Sequence, residues 1–148
     1  MTRQDLFIVT KLWPSDFKDP EAALRLSLSK LGVDYVDNYL IHWPSGFFDT
    51  DPANRVPIHV LWAKLESMVD QGLTKSIGVS NFNLQLLADL LCYCRHKPVF
   101  NEIELNPTIT QTELLRFMKS QEIVALAYCP VARLGQIAND HLWNNQAF

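Results

Sequence analysis

The sequence predicts an α/β protein in which about five parallel strands alternate with helices. Three observations predict it. Apolar runs rich in β-branched residues recur along the chain, each followed by an amphipathic stretch at helical spacing. The runs are nearly continuous in apolar residues, as expected for parallel strands covered on both faces. No low-complexity segment or flexible linker interrupts the series, so residues 1–148 read as a single domain.

The elements follow in order. Residues 5–13, "DLFIVTKLW", read as the first strand. A helix is predicted from Pro20 to Leu31. Asp19 suits the N-cap, Pro20 the first helical position and Gly32 the stop, while Leu24, Leu28 and Leu31 share one face. Residues 35–42, "YVDNYLIH", form the second strand and lead to a loop holding Phe47, Phe48, Asp51 and Pro52. Pro57 to Gln71 is a second amphipathic helix, closed by Gly72. Strand 76–80, helix Leu84–Tyr93, strand 99–105, helix Gln111–Lys119 and strand 123–129 continue the alternation. The tail from Leu134 to Phe148 carries a weak pattern compatible with a partial helix.

Composition narrows the function classes. The 148 residues carry a formal charge of −3 and are 48% hydrophobic, which describes a globular chain with a substantial core. The basic excess of a dedicated nucleic-acid binder is missing. No apolar run approaches the ~20 residues of a membrane span, and "MTRQDLFIVTKLW" lacks the organisation of a signal peptide. Three cysteines (Cys92, Cys94, Cys129) follow no framework spacing and read as reduced thiols of a cytoplasmic protein. Cys92 and Cys94, two apart in a helical stretch, point to different sides of it, so "CYCRH" reads as structural rather than metal-binding.

Two architectures fit a parallel alternation: an open doubly wound sheet and a (β/α)8 barrel. No G-x-G-x-x-G follows any strand, which weakens the open-sheet reading. In either architecture ligands bind at the carboxyl ends of the strands. Those ends carry distinctive groups: Lys11 and Trp13; His42 and Trp43; Ser80 and Asn81; Asn101, Glu102 and Glu104; Tyr128 and Cys129. Taken singly, each has a plain structural explanation. A lone strand-end histidine is more often a satisfied core residue, and a lysine there usually snorkels. Yet Phe7, Val9 and Lys11 share one face by period two, which sets Lys11 beside two expected core residues and calls for an anionic partner or ligand. Glu102 and Glu104 share a face, and burial of both would require a cationic partner or a raised pKa. Two Trp-Pro pairs at equivalent strand ends could pack, or frame an apolar pocket with a polar floor.

Together, "TKLW", "YVDNYLIHWP", "KSIGVSNF", "PVFNEIELNP" and "IVALAYCP" resemble the aldo-keto reductases in order and approximate spacing, from Asp5 to about Arg133. The resemblance implies an incomplete (β/α)8 TIM barrel, matching the third to seventh β/α units. It implies an oxidoreductase that reduces aldehydes or ketones with NADPH, or NADH. Lys11 matches the lysine that lowers the pKa of a catalytic tyrosine, and His42 the histidine that orients the carbonyl. Ser80 and Asn81 match the pair that binds the nicotinamide carboxamide, Tyr128 the tyrosine that stacks on the ring. Trp13 and Trp43 resemble substrate-pocket residues. Glu102 stands where the family often has glutamine, and an ionised carboxylate can accept but not donate there.

The resemblance also implies what these residues lack. In the family, the catalytic tyrosine and its aspartate come from the first two units. None of Tyr35, Tyr39, Tyr93 or Tyr128 matches the proton donor. A closed barrel takes about 250 residues. A truncated form with impaired activity and self-association through open barrel edges is therefore expected. A non-catalytic remnant that binds nicotinamide or a protein is the alternative; the ordered series from Lys11 to Tyr128 speaks against unrelated barrel chemistry such as hydrolysis.

Overall fold

The computed structural model describes residues 2–46 and 49–132. The expected tail helix, 134–148, and Phe47 and Phe48 lie outside the described residues. Nine elements alternate: β1 (Val9–Leu12), α1 (Pro20–Leu31), β2 (Asn38–Ile41), α2 (Ile58–Asp70), β3 (Ile77–Ser80), α3 (Leu84–Tyr93), β4 (Phe100–Glu104), α4 (Thr112–Ser120) and β5 (Val124–Tyr128). All neighbouring strands pair in parallel, and their spatial order equals their chain order, β1-β2-β3-β4-β5. A doubly wound open sheet reverses its strand order at a switch point. This sheet does not.

The helices begin where their caps allow. The Asp19 carboxylate accepts from the Ala22 N–H at 3.0 Å, which satisfies an otherwise orphaned donor at the start of α1. Gly32, at φ +67°, ends that helix in the left-handed conformation that glycine adopts without strain. Asn83 caps α3 in the same way, accepting from Leu86 N–H at 2.9 Å.

Alternation along each strand divides the sheet into two faces. Leu12, Tyr39, Ile41, Val79 and Ile103 point toward the helices, where they form one buried cluster with Leu24, Leu65 and Leu90. Each such buried side chain contributes about 1.5–3 kcal/mol of transfer free energy. The opposite face carries Val9, Lys11, Leu40, Gly78, Ser80, Phe100, Glu102 and Tyr128. That face is concave. Lys11 of β1 forms an ion pair with Glu102 of β4, and Phe7, just before β1, packs edge-to-face on Phe100 with ring centroids 5.9 Å apart. Three strand spacings would separate these backbones by about 14 Å in a flat sheet. Only an arc brings their side chains together.

Gly78 permits the curvature at the centre of the arc. A Cβ there would lie 2.6 Å from Leu40 Cδ2 and 2.9 Å from the Phe100 carbonyl oxygen. At the opposite, amino-terminal end of the strands, Asp37 holds the sheet together. Its carboxylate accepts from Ile8 N–H at 2.9 Å and pairs with Arg3 at 2.8 Å and Lys75 at 3.2 Å. The Ile8 N–H, aided by both cations and opposed by burial, lowers its pKa to about 2. Both cations also lie over the Tyr35 ring, at 4.0 and 4.4 Å from its centroid.

The second strand spans Asn38–Ile41 rather than 35–42, and the first is shorter than expected as well. Residues Arg3–Asp5 form a 3-10 turn instead, held by Thr2 N–H donating to the Asp5 carboxylate at 2.6 Å. Phe7 is not a core residue; it is 63% exposed, because the concave face it occupies is open on that side. α2 and α4 each differ by about one residue from their predicted limits, and 3-10 turns at Pro14–Asp16 and Pro52–Asn54 had no periodic signal.

Candidate functional site

Lys11 and His42 leave adjacent strand ends. The half-buried Lys11 ammonium spans the concave face to the buried Glu102 carboxylate, so each supplies the counter-charge the other needs. His42 is fixed through its backbone N–H, which donates to Leu12 O at 3.0 Å. Its ring lies between two indoles: Trp13 edge-on at 4.8 Å, and Trp43 nearly parallel at 6.1 Å. Burial first, then the Lys11 cation, lowers the His42 pKa below its ordinary value, while the Glu102 anion opposes the shift. The imidazole is therefore neutral at pH 7.

Asn81 follows β3 with φ +62°, a left-handed conformation that asparagine tolerates better than most residues. This turn aims its amide back across the strand ends. Nδ2 donates to His42 O at 2.9 Å and Ser80 Oγ at 3.1 Å, and the backbone N–H donates to Glu102 O at 2.9 Å. From β5, the Tyr128 hydroxyl donates to Asn81 Oδ1 at 2.8 Å. Ser80 Oγ donates to Glu102 O at 2.9 Å. Asn101 holds the turn from behind: its Nδ2 donates to Phe82 O at 2.9 Å.

Lys11, His42, Ser80, Asn81, Glu102 and Tyr128 thus share one connected site, with Trp13 and Trp43 beside it. Its hydrogen-bonding capacity differs from the simple expectation that serine plus asparagine offers a donor and an acceptor. The Ser80 hydrogen is committed to Glu102 O, and both Asn81 amide hydrogens are committed internally. Glu102, as a carboxylate, only accepts. The free capacity of Ser80, Asn81 and Glu102 is mostly acceptor, whereas Lys11 keeps N–H donors beyond the one paired with Glu102. A further donor becomes available when Asn81 Nδ2 releases its longer bond to Ser80.

Two cavities meet at Trp43. One, of about 370 Å³, reaches Asn81 and Tyr128. The other, of about 430 Å³, is lined by Trp13, Pro14, Trp43, Pro44, Ser45 and Asp49. Sequence reasoning passed over Asp49. The signal was the acidic turn "DTDP" close after Trp43-Pro44, whose approach to Trp13 only the fold establishes. It also treated Lys11 and Glu102 as separate charges, each in need of a partner, without joining them. Cys92 is exposed and Cys94 caps the end of α3; among the described residues no group of His, Cys, Asp or Glu is arranged to hold a metal ion. Among the same residues no helix is long and apolar enough to cross a membrane.

Sequential parallel strands, an arc-shaped sheet and a polar site at the carboxyl ends define an incomplete (β/α)8 barrel. The sequence model of the aldo/keto reductase family matches residues 1–143, and the chain belongs to that family. It is 40% identical to aldose reductase B of Dictyostelium discoideum, across 96% of this chain and 50% of that protein. It is 39% identical to aldo-keto reductase family 1 member A1-A of Danio rerio, across 88% of this chain and 44% of that one. A solved Bombyx mori aldo-keto reductase in complex with NADP superposes with a TM-score of 0.80 at 40% identity, across 87% of this chain and 43% of that one. The chain therefore spans about half the length of the relatives it matches.

Proposed function

We propose that residues 1–148 form a single partial barrel domain, contributing the nicotinamide- and carbonyl-binding part of an NADPH-dependent reductase of small aldehydes and ketones, in the cytoplasm. NADH is the second candidate cofactor. The observation that carries this reading is the convergence of Lys11, His42, Asn81, Glu102 and Tyr128 from separate strand ends onto one concave site. The relatives supply the chemical class: probable NAD(P)H-dependent D-xylose reductases are among those about 41% identical.

The donor set fits a nicotinamide ring. Tyr128 would offer a flat face to it. Ser80 Oγ and Asn81 Oδ1 would accept from the carboxamide nitrogen, and Asn81 Nδ2 would donate to its oxygen after one bond exchange. Bound, the cofactor supplies the hydride. This chain's residues prepare the carbonyl. Neutral His42, held between Trp13 and Trp43, would donate a hydrogen bond to the oxygen on which negative charge develops. Lys11 would add positive charge nearby, moderated by Glu102. The proton donor itself has no counterpart among these residues.

A chimeric barrel tests the reading. This chain, joined to the remaining β/α units of a relative, is expected to reduce a simple aldehyde with NADPH. His42→Ala and Lys11→Met are each expected to lower kcat by about 10²–10⁴. The 148 residues alone are expected to turn over at less than about one thousandth of the chimera's rate, because the general acid is missing. A chimera that folds and binds NADPH yet reduces nothing would refute the catalytic reading. It would favour a nicotinamide-binding or protein-interaction module instead. The open strand edges also support self-association of the chain by itself.

A further inference from the structure

We propose that the cavity between Trp13 and Trp43 selects carbonyl compounds that carry a positive charge, with Asp49 as the counter-ion. The inference rests on the reading of that cavity as the carbonyl-binding pocket.

Three features of the cavity lead to it. Trp13 and Trp43 are 50% and 43% exposed, so both present indole surface to an occupant. Indole faces attract organic cations more strongly than other side-chain rings do. Asp49 is the single charged residue in the described lining. Its carboxylate is held in place by its own surroundings: Oδ1 accepts from Asp51 N–H at 2.8 Å and from Asn54 Nδ2 at 3.1 Å.

No cation pairs with it directly among the described residues, and Lys18 acts on it only from longer range. Asp49 has no ion-pair partner within 4.0 Å among the described residues. Lys18, the neighbouring cation, directs its ammonium to Asp51 at 2.9 Å. His42, whose ring adjoins both indoles, is uncharged near neutral pH and adds no repulsion. Aromatic walls and one fixed anion, with the uncharged His42 imidazole adjoining both indoles, form a cavity that fits an ammonium group at one end of a molecule and a carbonyl at the other. A plain sugar or an acidic aldehyde would leave the carboxylate without a partner, or facing a like charge.

Three probes of similar shape test this on the full chain: benzaldehyde, its para-trimethylammonio derivative and its para-carboxylate. Affinities come from calorimetry, and the site from the indole N–H signals of Trp13 and Trp43 in two-dimensional NMR. The cationic probe is expected to bind about tenfold more tightly than benzaldehyde, and the carboxylate more weakly than either. Asp49→Asn keeps an Oδ1 acceptor for Asp51 and Asn54. It is expected to bring the cationic probe within about threefold of benzaldehyde, with benzaldehyde binding unchanged. Should that variant unfold by circular dichroism, salt decides with the unmodified chain. Raising NaCl from about 0.02 M to about 0.5 M must shrink the cation's advantage and leave benzaldehyde alone. Equal affinities, a preference that survives Asp49→Asn or high salt, or no probe binding at Trp13 and Trp43 overturns the proposal. These are binding readouts. A chimera that fails to reduce aldehydes would sink the reductase reading without touching the cation preference, and the reverse holds equally.

Discussion

Lys11 and Glu102 determine the charge state of the site around them. An ammonium on the concave face of a sheet is expensive without a partner, and so is a carboxylate at that depth. Joined, they present a dipole to His42, with the lysine lowering its pKa and the glutamate raising it. Removing either member tips the balance in a known direction. Glu102→Gln should lower the His42 pKa further, since only the lysine then acts on it. Lys11→Met should raise it. The unmodified ring should titrate below 6.5, the value from which burial and Lys11 displace it. NMR of the His42 ring through an acid titration reads all three midpoints, and an unchanged midpoint in both variants would show the pair to be electrostatically silent. The folded pKa is lowered, so the neutral ring's contribution to stability is present above pH 6.5 and is lost as pH falls through the folded value. The residue identities at this site were legible because strand ends concentrate them in the sequence. Their pairing was not. It depends on β1 and β4 facing each other across a curved sheet, which no local pattern encodes. Asp49 escaped for the same reason, since its approach to Trp13 follows from how the loop after β2 returns.

Elements with chemical punctuation were the ones the sequence marked sharply. α1 and α3 start and stop where Asp19, Gly32 and Asn83 dictate, and their predicted limits coincide with those observed. β1 had no such punctuation. Its apolar run continues back through Phe7, and a local bond between Thr2 and Asp5 replaces pairing at the start of the expected strand. β3 shows a different constraint, in which a small residue fixes the shape of a sheet. Gly78→Ala places a methyl group 2.6 Å from Leu40 Cδ2 and 2.9 Å from backbone of β4. Leu40 can rotate, but the Phe100 carbonyl can move only if β4 moves. The substitution is expected to lower stability by about 1–3 kcal/mol, read as a fall in the urea midpoint with unchanged slope. An unaltered midpoint would mean that β3 and β4 separate more easily than their close approach implies.

At the scale of the molecule, the same arc that assembles the site leaves it without a far wall among the described residues. Among the described residues, β1 pairs only with β2 and β5 only with β4, so each presents an unpaired backbone edge. Large apolar groups near these edges are uncovered: Phe7 at 63%, Val124 at 52% and Leu126 at 38% exposure. Each forfeits part of the roughly 1.5–3 kcal/mol that full burial of such a side chain provides. Free parallel edges flanked by uncovered hydrophobic groups are a template for pairing with another chain. The isolated 148-residue chain is therefore expected to elute above its monomer mass in size-exclusion chromatography, or to unfold without a sharp transition by circular dichroism. Phe7→Lys with Val124→Lys should shift the population toward monomer, because a charge on each edge disfavours pairing and leaves the helix-side core intact. Adding a fragment that carries the remaining β/α units of a relative should have the same effect on oligomers while sharpening the transition, since it covers the edges that the lysines only repel. A compact monomer that unfolds cooperatively without either change would show that the cluster between sheet and helices suffices by itself, and that the open edges carry little of the free-energy balance.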